Sequence, residues 1–481
     1  MNEMETIKKQ VLSGFVWKFG ERIIAQLIST IVSIILARLL TPEDYGTVAI
    51  IMIFITIANV FVSNGLGNAL VQKKDADDLD FSSVFYLNFL LSLLLYGILF
   101  FMAPHIAKFY GMPVLTATLR VLAIRIPVAA INSVQQGYVS RNMLFKRFFW
   151  STLFGTLLSG IVGITMAYKG FGVWALVAQY LTNTCTDTVV LWFTVRWRPI
   201  FKCSWKRAKK LFSFGWKILV SGLLDTGYRQ LRGLIIGKVY SSAELAYYNQ
   251  GDKYPNLVVV NINSSISSVL FPALSKYQDD KTKLKEMTRK AIQVSSYIMW
   301  PMMIGLGVVA EAFVKVLLTE KWLPCVPFIR IFCLSYALYP IHTANLQAMN
   351  AVGRSDLFLK LEIIKKAVGI LSILVAVKYG THAMAYSVVL SDFLSTVVNA
   401  SPNKELLGYG YFEQIKDLMP GFFMAMLMSL VIYPVKFVGF SDIATLMLQV
   451  SLGITTYLAL SSISRNKTFS YLLKTIRHKK S

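Results

Sequence analysis

The chain has 481 residues, of which 55% are hydrophobic and 15% charged, and it carries a formal charge of +24 at pH 7. It is far more apolar and less charged than an average soluble domain, which excludes a water-soluble globular enzyme. The positive excess would suit a nucleic acid, but its distribution along the chain excludes that partner too.

Met1–Gln10 is short and polar, and the apolar run that follows is too long for a cleavable signal peptide. Apolar spans follow at roughly 12–37, 45–70, 81–103, 115–139, 148–167, 173–195, 216–239, 244–272, 291–318, 326–350, 357–377, 383–399, 418–438 and 443–463, each long enough to cross about 30 Å of hydrocarbon. The expected fold class is an all-α integral membrane protein with about fourteen transmembrane helices. No loop is long enough to hold a soluble domain.

Between the first two spans, Thr41-Pro42-Glu43-Asp44-Tyr45-Gly46 reads as a helix start. Thr41 can cap, Pro42 suits the first helical position, and the two acids favour the positive helix end. A catalytic carboxylate pair is the competing reading, but the loop is too short to form a sugar-binding surface. Further on, residues 275–290 hold Glu286 and Lys290 at i, i+4 among many lysines, as expected of a solvated or lipid-facing helix.

Cations alternate between loops. Even-numbered loops carry Lys73 and Lys74; Arg141, Lys146 and Arg147; a cluster from Arg196 to Lys210; and another from Lys276 to Lys290. Odd-numbered loops carry roughly one each, such as Arg38, Lys108 and Lys169. Arg465, Lys467, Lys474, Arg477, Lys479 and Lys480 follow the last span. This positive-inside pattern puts both termini in the cytoplasm, with the excess charge serving topology and attraction to anionic membrane lipids. Cys185, Cys203, Cys325 and Cys333 have no metal or redox spacing, and the four histidines form no cluster, so no metal site or disulfide framework is expected.

The chain repeats itself. Pro127, Asn132, Arg141, Leu144 and Phe145 recur as Pro340, Asn345, Arg354, Leu357 and Phe358, each pair 213 positions apart. Ser13-Gly-Phe-Val-Trp17-Lys18 returns loosely as Ser213-Phe-Gly-Trp216-Lys217. Each half has an even number of spans, so the repeat is parallel. The expected organisation is a six-helix lobe over roughly 1–195, a basic cytoplasmic linker over 196–215, a second six-helix lobe over 216–400, and two more helices with a basic tail over 401–481. Parallel repeats in a membrane are the build of a carrier that holds substrate and rocks around it. Pro127 and Pro340 fall inside spans, where matched kinks would bend the two halves alike.

Ionisable residues inside spans are expensive, so each is a site candidate. Asp225, Arg229 and Arg232 lie on one face of the seventh segment. Arg22 and Gln26 share a face of the first, and the fourth carries Arg125 and Asn132. With Asn345 of the tenth segment, these describe a cavity of amides with surplus arginine. Arginine suits phosphate because its planar fork makes two hydrogen bonds and keeps its charge. Asp187 and Asp392 are roughly matched in the repeat. Together with Asp225 and Asp252 they either carry a coupling H⁺ or Na⁺ or fix helix contacts, and both readings stay open.

Gly14-Phe-Val-Trp17-Lys18, Ala37-Arg38-Leu-Leu-Thr41-Pro42-Glu43-Asp44-Tyr45-Gly46 and Asn64-Gly65-Leu66-Gly67-Asn68-Ala69-Leu70-Val71-Gln72 resemble the polysaccharide-exporter (Wzx-like) flippases, in particular the teichuronic and colanic acid exporter branch. Their superfamily also holds lipid II flippases and multidrug antiporters of the MATE type. The resemblance covers essentially the whole chain and implies two six-helix lobes with two helices appended. It implies a protein of the bacterial cytoplasmic membrane that flips an undecaprenyl-diphosphate-linked oligosaccharide to the outer leaflet by alternating access. No cofactor is needed, and a polysaccharide polymerase complex is a candidate partner. The family's cationic cavity agrees with the arginines of segments 1, 4 and 7; individual contacts are not carried over, because the matched strings lie at helix ends. The alternative is a cation-coupled drug exporter of the MATE type, which wants a cavity dominated by acids. An enzyme would need a large outer loop, and a scaffold would have no use for buried arginines.

Overall fold

The computed structural model describes residues 3–63 and 77–478. The string Asn64–Gln72, Lys73, Lys74, Lys479 and Lys480 lie outside the described residues, as do the side chains of residues 3–16. Helices account for nearly all of the described chain, and among the described residues there is no strand.

In order they are α1 (Glu3–Leu39), α2 (Pro42–Ser63), α3 (Asp78–Tyr110), α4 (Val114–Leu122), α5 (Arg125–Arg141), α6 (Phe145–Tyr168), α7 (Val173–Thr194), α8 (Trp205–Val239) and α9 (Ser242–Ser275). There follow α10 (Lys281–Leu317), α11 (Val326–Tyr336), α12 (Tyr339–Ala351), α13 (Ser355–Ala376), α14 (Thr381–Leu407), α15 (Tyr411–Ile432), α16 (Asp442–Ile463) and α17 (Lys467–His478). Among the described residues, 11 segments are long and apolar enough to cross a membrane. The remaining expected spans, the sixth, seventh and eleventh, coincide with α7, α8 and α13. The protein is an all-α integral membrane protein.

Contacts divide the chain into two compact units, Met1–Ala246 and Tyr247–Ser481. Helix α8 packs on α2 and α3, so the first unit runs past the basic linker. Compact unit and duplicated half are therefore different divisions of the chain.

The repeat is visible within each unit. Shifting α4 and α5 by 213 positions gives 327–335 and 338–354, close to the observed α11 and α12. Both members are interrupted helices, and the interruption sits just before the matched prolines. Proline has no N–H to give the carbonyl four residues back. At the first break the Ile126 N–H takes the Ala123 carbonyl that Pro127 cannot reach, at 2.9 Å. At the second, Leu338 N–H bonds to Ser335 and Ile341 N–H to Leu338, at 3.2 and 3.1 Å. These tighter i→i−3 turns replace the kinks expected from sequence, leaving each proline in the first turn of the new helix, where it is tolerated.

In the first unit the start of α2 is a reciprocal cap. The Asp44 N–H donates to Thr41 Oγ1 at 3.2 Å, and the Thr41 N–H donates to Asp44 Oδ2 at 3.1 Å. Gly46 must be glycine, since a Cβ there would lie 1.8 Å from the Ser242 carbonyl oxygen at the head of α9. The linker is fastened along the start of α3. Trp197 Nε1 donates to Asp78 at 3.1 Å, the Ile200 N–H to Ser82 Oγ at 3.0 Å, and the Ser204 N–H to Ser83 Oγ at 2.9 Å.

In the second unit, α15 and α16 pack on α10 through Tyr297, Met424, Met428, Ile432 and Tyr457. Lys285 and Arg289 of α10 pair with Glu413 and Asp417 of α15 at 3.0 and 2.6 Å. Helix α17 follows as an amphipathic basic element whose Phe469 and Leu472 pack against the same core.

Candidate functional site

Helix α6 draws its neighbours close in the first unit. Its buried residues include Ser151, Gly155, Ser159, Gly163 and Ala167, a small residue at every fourth position. In a membrane such a stripe lets neighbouring helices approach closely, and α1 and α7 both pack on α6. A Cβ at Gly160 would lie 2.6 Å from Val32 Cγ2 of α1, and one at Gly163 would lie 3.0 Å from Gln179 Cβ of α7.

Beside this tight seam the three helices leave a cavity of about 470 Å³. Helix α1 contributes Arg22, Gln26 and Ser29, spaced to share one face. Helix α6 contributes Thr152, Thr156 and Ser159, and α7 contributes Gln179, Asn183 and Asp187 in steps of four. Arg125, the first residue of α5 after the helix break, enters from a fourth element, with Tyr180 beside it.

Two of the charged groups are held from outside the cavity. Arg125 Nε donates to Thr184 Oγ1 at 2.6 Å, its Nη1 lies 3.6 Å from Met52 Sδ, and the guanidinium sits 5.6 Å from the Tyr180 ring centroid. This fixes the fork and leaves Nη2 as a donor not used in those contacts. Asp187 accepts from the Asn132 side-chain amide, itself buried. Thr152 Oγ1 donates to Glu21 Oε1 at 2.9 Å, which ties α6 to α1. Among the described residues the side-chain amides of Gln179 and Asn183 have no hydrogen-bond partner.

Of the residues singled out by sequence, Arg22, Gln26, Arg125 and Asp187 line this cavity, and Asn132 supports it from behind. The others are placed elsewhere. Arg229 pairs with Asp225 at 2.8 Å along α8, the guanidinium largely exposed. Arg232, a turn further, has Nε and Nη2 buried with no hydrogen-bond partner among the described residues. Asn345 belongs to the second unit, in a buried knot where it donates to Gln414 Oε1 at 2.8 Å and accepts from Asn403 at 2.6 Å. Asp252 accepts from the Tyr336 hydroxyl, which Asn256 also meets at 2.9 Å. Asp392 accepts from Ser335. No cluster able to hold a metal occurs among the described residues. The neutral lining residues of α6 and α7 were not visible in the sequence, although the Gln179–Asn183–Asp187 spacing would have marked a polar stripe in an otherwise apolar span.

The family model described as "Polysaccharide biosynthesis protein" matches residues 35–327. Teichuronic acid biosynthesis protein TuaB of Bacillus subtilis is 26% identical over 98% of this chain and 99% of its own length. Succinoglycan biosynthesis transport protein ExoT of Rhizobium meliloti is 26% identical over 83% and 81%. In fold, the chain is similar to the inward closed conformation of lipid II flippase MurJ, with a TM-score of 0.76, 17% identity, and coverage of 93% of this chain and 98% of that one. It is also similar to an inward-facing multidrug resistance MATE family transporter, with a TM-score of 0.62, 15% identity, and coverage of 80% and 94%. With the family model spanning more than half of its length, the chain belongs to the polysaccharide biosynthesis protein family of membrane proteins.

Proposed function

We propose that the protein flips an undecaprenyl-diphosphate-linked oligosaccharide from the cytoplasmic to the outer leaflet by alternating access, for assembly of a cell-surface polysaccharide. It is a transporter rather than an enzyme, lies in the bacterial cytoplasmic membrane, and has both termini in the cytoplasm. The observation that carries this reading is the pair of guanidinium groups, Arg22 and Arg125, on two helices around one polar cavity within membrane-spanning helices. A diphosphate cannot cross hydrocarbon, and two arginines supply the charge-assisted, fork-shaped contacts that replace its water. The amide and hydroxyl lining serves the sugar, while the polyprenyl tail stays in lipid. Family membership and the likeness to ExoT, a succinoglycan biosynthesis transport protein, point the same way. Asp187, Asp225, Asp252 and Asp392 are the acids available for H⁺ or Na⁺ coupling, and a polysaccharide polymerase complex would take up the product.

The test is a deletion strain whose lipid-linked sugars are separated by leaflet with an impermeant label. The proposal expects an undecaprenyl-diphosphate oligosaccharide to accumulate on the cytoplasmic face. An unchanged pool with unchanged sidedness would overturn it, and new drug sensitivity with intact surface glycan would favour a drug exporter instead.

A further inference from the structure

We infer that Gln179 and Asn183, with Asp187, form the part of the cavity that reads the sugar, and that they select a neutral ring bearing hydroxyl or acetamido groups over one bearing a carboxylate. This rests on the flippase reading and adds a division of labour to it. Three observations carry it.

The first is satisfaction. Each amide offers two N–H donors and a carbonyl acceptor, and among the described residues neither is used by the protein. A half-buried amide left without a protein partner at a membrane-spanning helix needs one from water or from a ligand. Sugar hydroxyls and acetamido groups, which both donate and accept, match that inventory. A phosphate, which only accepts, matches half of it.

The second is placement. Gln179, Asn183 and Asp187 lie on one face of α7 and extend about 12 Å along the helix, more than one ring of a glycan. The α6 backbone comes close behind two of them: a Cβ at Gly163 would sit 3.0 Å from Gln179 Cβ, and one at Gly155 would sit 3.4 Å from Asn183 Nδ2.

The third is charge. The two arginines come from α1 and α5, whereas the stripe on α7 ends in the Asp187 carboxylate. An anionic ring carboxylate held beside Asp187 would be repelled at low local dielectric, but a hydroxyl can donate to it. The diphosphate therefore goes to the arginines and a neutral ring to the stripe.

The experiment uses the full-length protein in nanodiscs and measures binding of three probes: undecaprenyl diphosphate, undecaprenyl-diphosphate-N-acetylglucosamine and undecaprenyl-diphosphate-glucuronic acid. The wild type should bind the N-acetylglucosamine probe most tightly. Asn183→Ala and Gln179→Ala should each weaken that probe about tenfold, the equivalent of one or two lost hydrogen bonds, and leave undecaprenyl diphosphate unchanged. Asp187→Asn should improve the glucuronic acid probe relative to the N-acetylglucosamine one. Arg125→Gln should weaken all three. Because neither amide has a protein partner among the described residues, unchanged thermal midpoints are expected for the alanine variants. If the alanine variants weaken the bare and N-acetylglucosamine probes equally, or neither, the inference is overturned while the flippase reading stands. If the wild type binds none of the probes, the flippase reading falls with it.

Discussion

The Tyr457 hydroxyl donates to the backbone carbonyl of Tyr297 at 2.8 Å, and that carbonyl is the one that Pro301 leaves without a helical donor. The Tyr297 hydroxyl returns the contact by donating to Ser461 Oγ at 2.5 Å, and the two rings lie 5.1 Å apart. Helix α16 thus closes the hydrogen bond missing from α10, so a helix outside the duplication is joined to the second unit by more than apolar contact. The first unit uses the same device. Pro104 frees the Phe100 carbonyl of α3, and Arg120 Nε of α4 donates to it at 3.1 Å. In lipid no water is at hand to do this, which is why prolines in membrane helices need such neighbours.

Replacing Tyr457 with Phe should leave the Tyr297 carbonyl bare and cost about 1–3 kcal/mol. Pro301→Ala supplies an N–H to the same carbonyl, so the double variant should recover most of that loss. Denaturant unfolding of the four proteins of the cycle measures the coupling. Additive effects would show that the hydroxyl matters for another reason.

Gly160→Ala should destabilise by about 1–3 kcal/mol, because the new methyl would stand 2.6 Å from Val32 Cγ2 across the α1–α6 seam. Val is stiff at χ1 and cannot swing away cheaply. Val32→Ala in the same protein should relieve the clash. The thermal midpoint of the double variant, rising above that of Gly160→Ala alone, is the result to look for.

Parts of this arrangement were legible in sequence and parts were not, for physical reasons. Arg22 and Arg125 stood out because a charge inside an apolar run is costly wherever it points. The i, i+4 spacing put Asp225 and Arg229 on one helix face, and there the two form an ion pair. Asn345 was not legible, because an amide inside a span looks the same in sequence whether it faces a cavity or ties helices, and here it is tied to Gln414 and Asn403. Matched prolines were visible at 213 positions apart, but not the helix breaks, which depend on which N–H takes the vacated carbonyl. Gln179 and Asn183 were passed over because they carry no charge and fall outside both the repeat that marked Asn132 and Asn345 and the arginine-bearing face that marked Gln26.

The linker clamp should weaken in acid. Asp77 caps α3 by accepting the Asp80 N–H at 2.9 Å and holds Arg207 through both oxygens at 2.7 and 2.6 Å. Arg207 first, then the Asp80 N–H, hold its carboxyl down from 3.8 to about 2. A lowered folded-state pKa contributes stability that is complete above the unfolded value and lost as pH falls through the folded one. The contribution of Asp77 should therefore be full above about pH 5 and fade between about pH 4 and 2. Asp77→Asn keeps a good cap and loses the ion pair; Asp77→Ala loses both, the cap alone being worth about 1 kcal/mol. Thermal midpoints at pH 7 should rank wild type, Asn, Ala, and the gap between wild type and Asn should shrink towards pH 2. A constant gap would mean that the pair contributes nothing.

The measurement that tests the central claim most directly is flipping by purified protein in sealed proteoliposomes. Undecaprenyl-diphosphate-N-acetylglucosamine would be loaded in both leaflets and its outward-facing fraction followed with an impermeant sugar-oxidising reagent. Wild-type vesicles should expose the protected inner pool, and Arg125→Gln vesicles, with the protein folded and present in equal amount, should do so at least tenfold more slowly. Equal rates for wild type, Arg125→Gln and protein-free vesicles would contradict that claim.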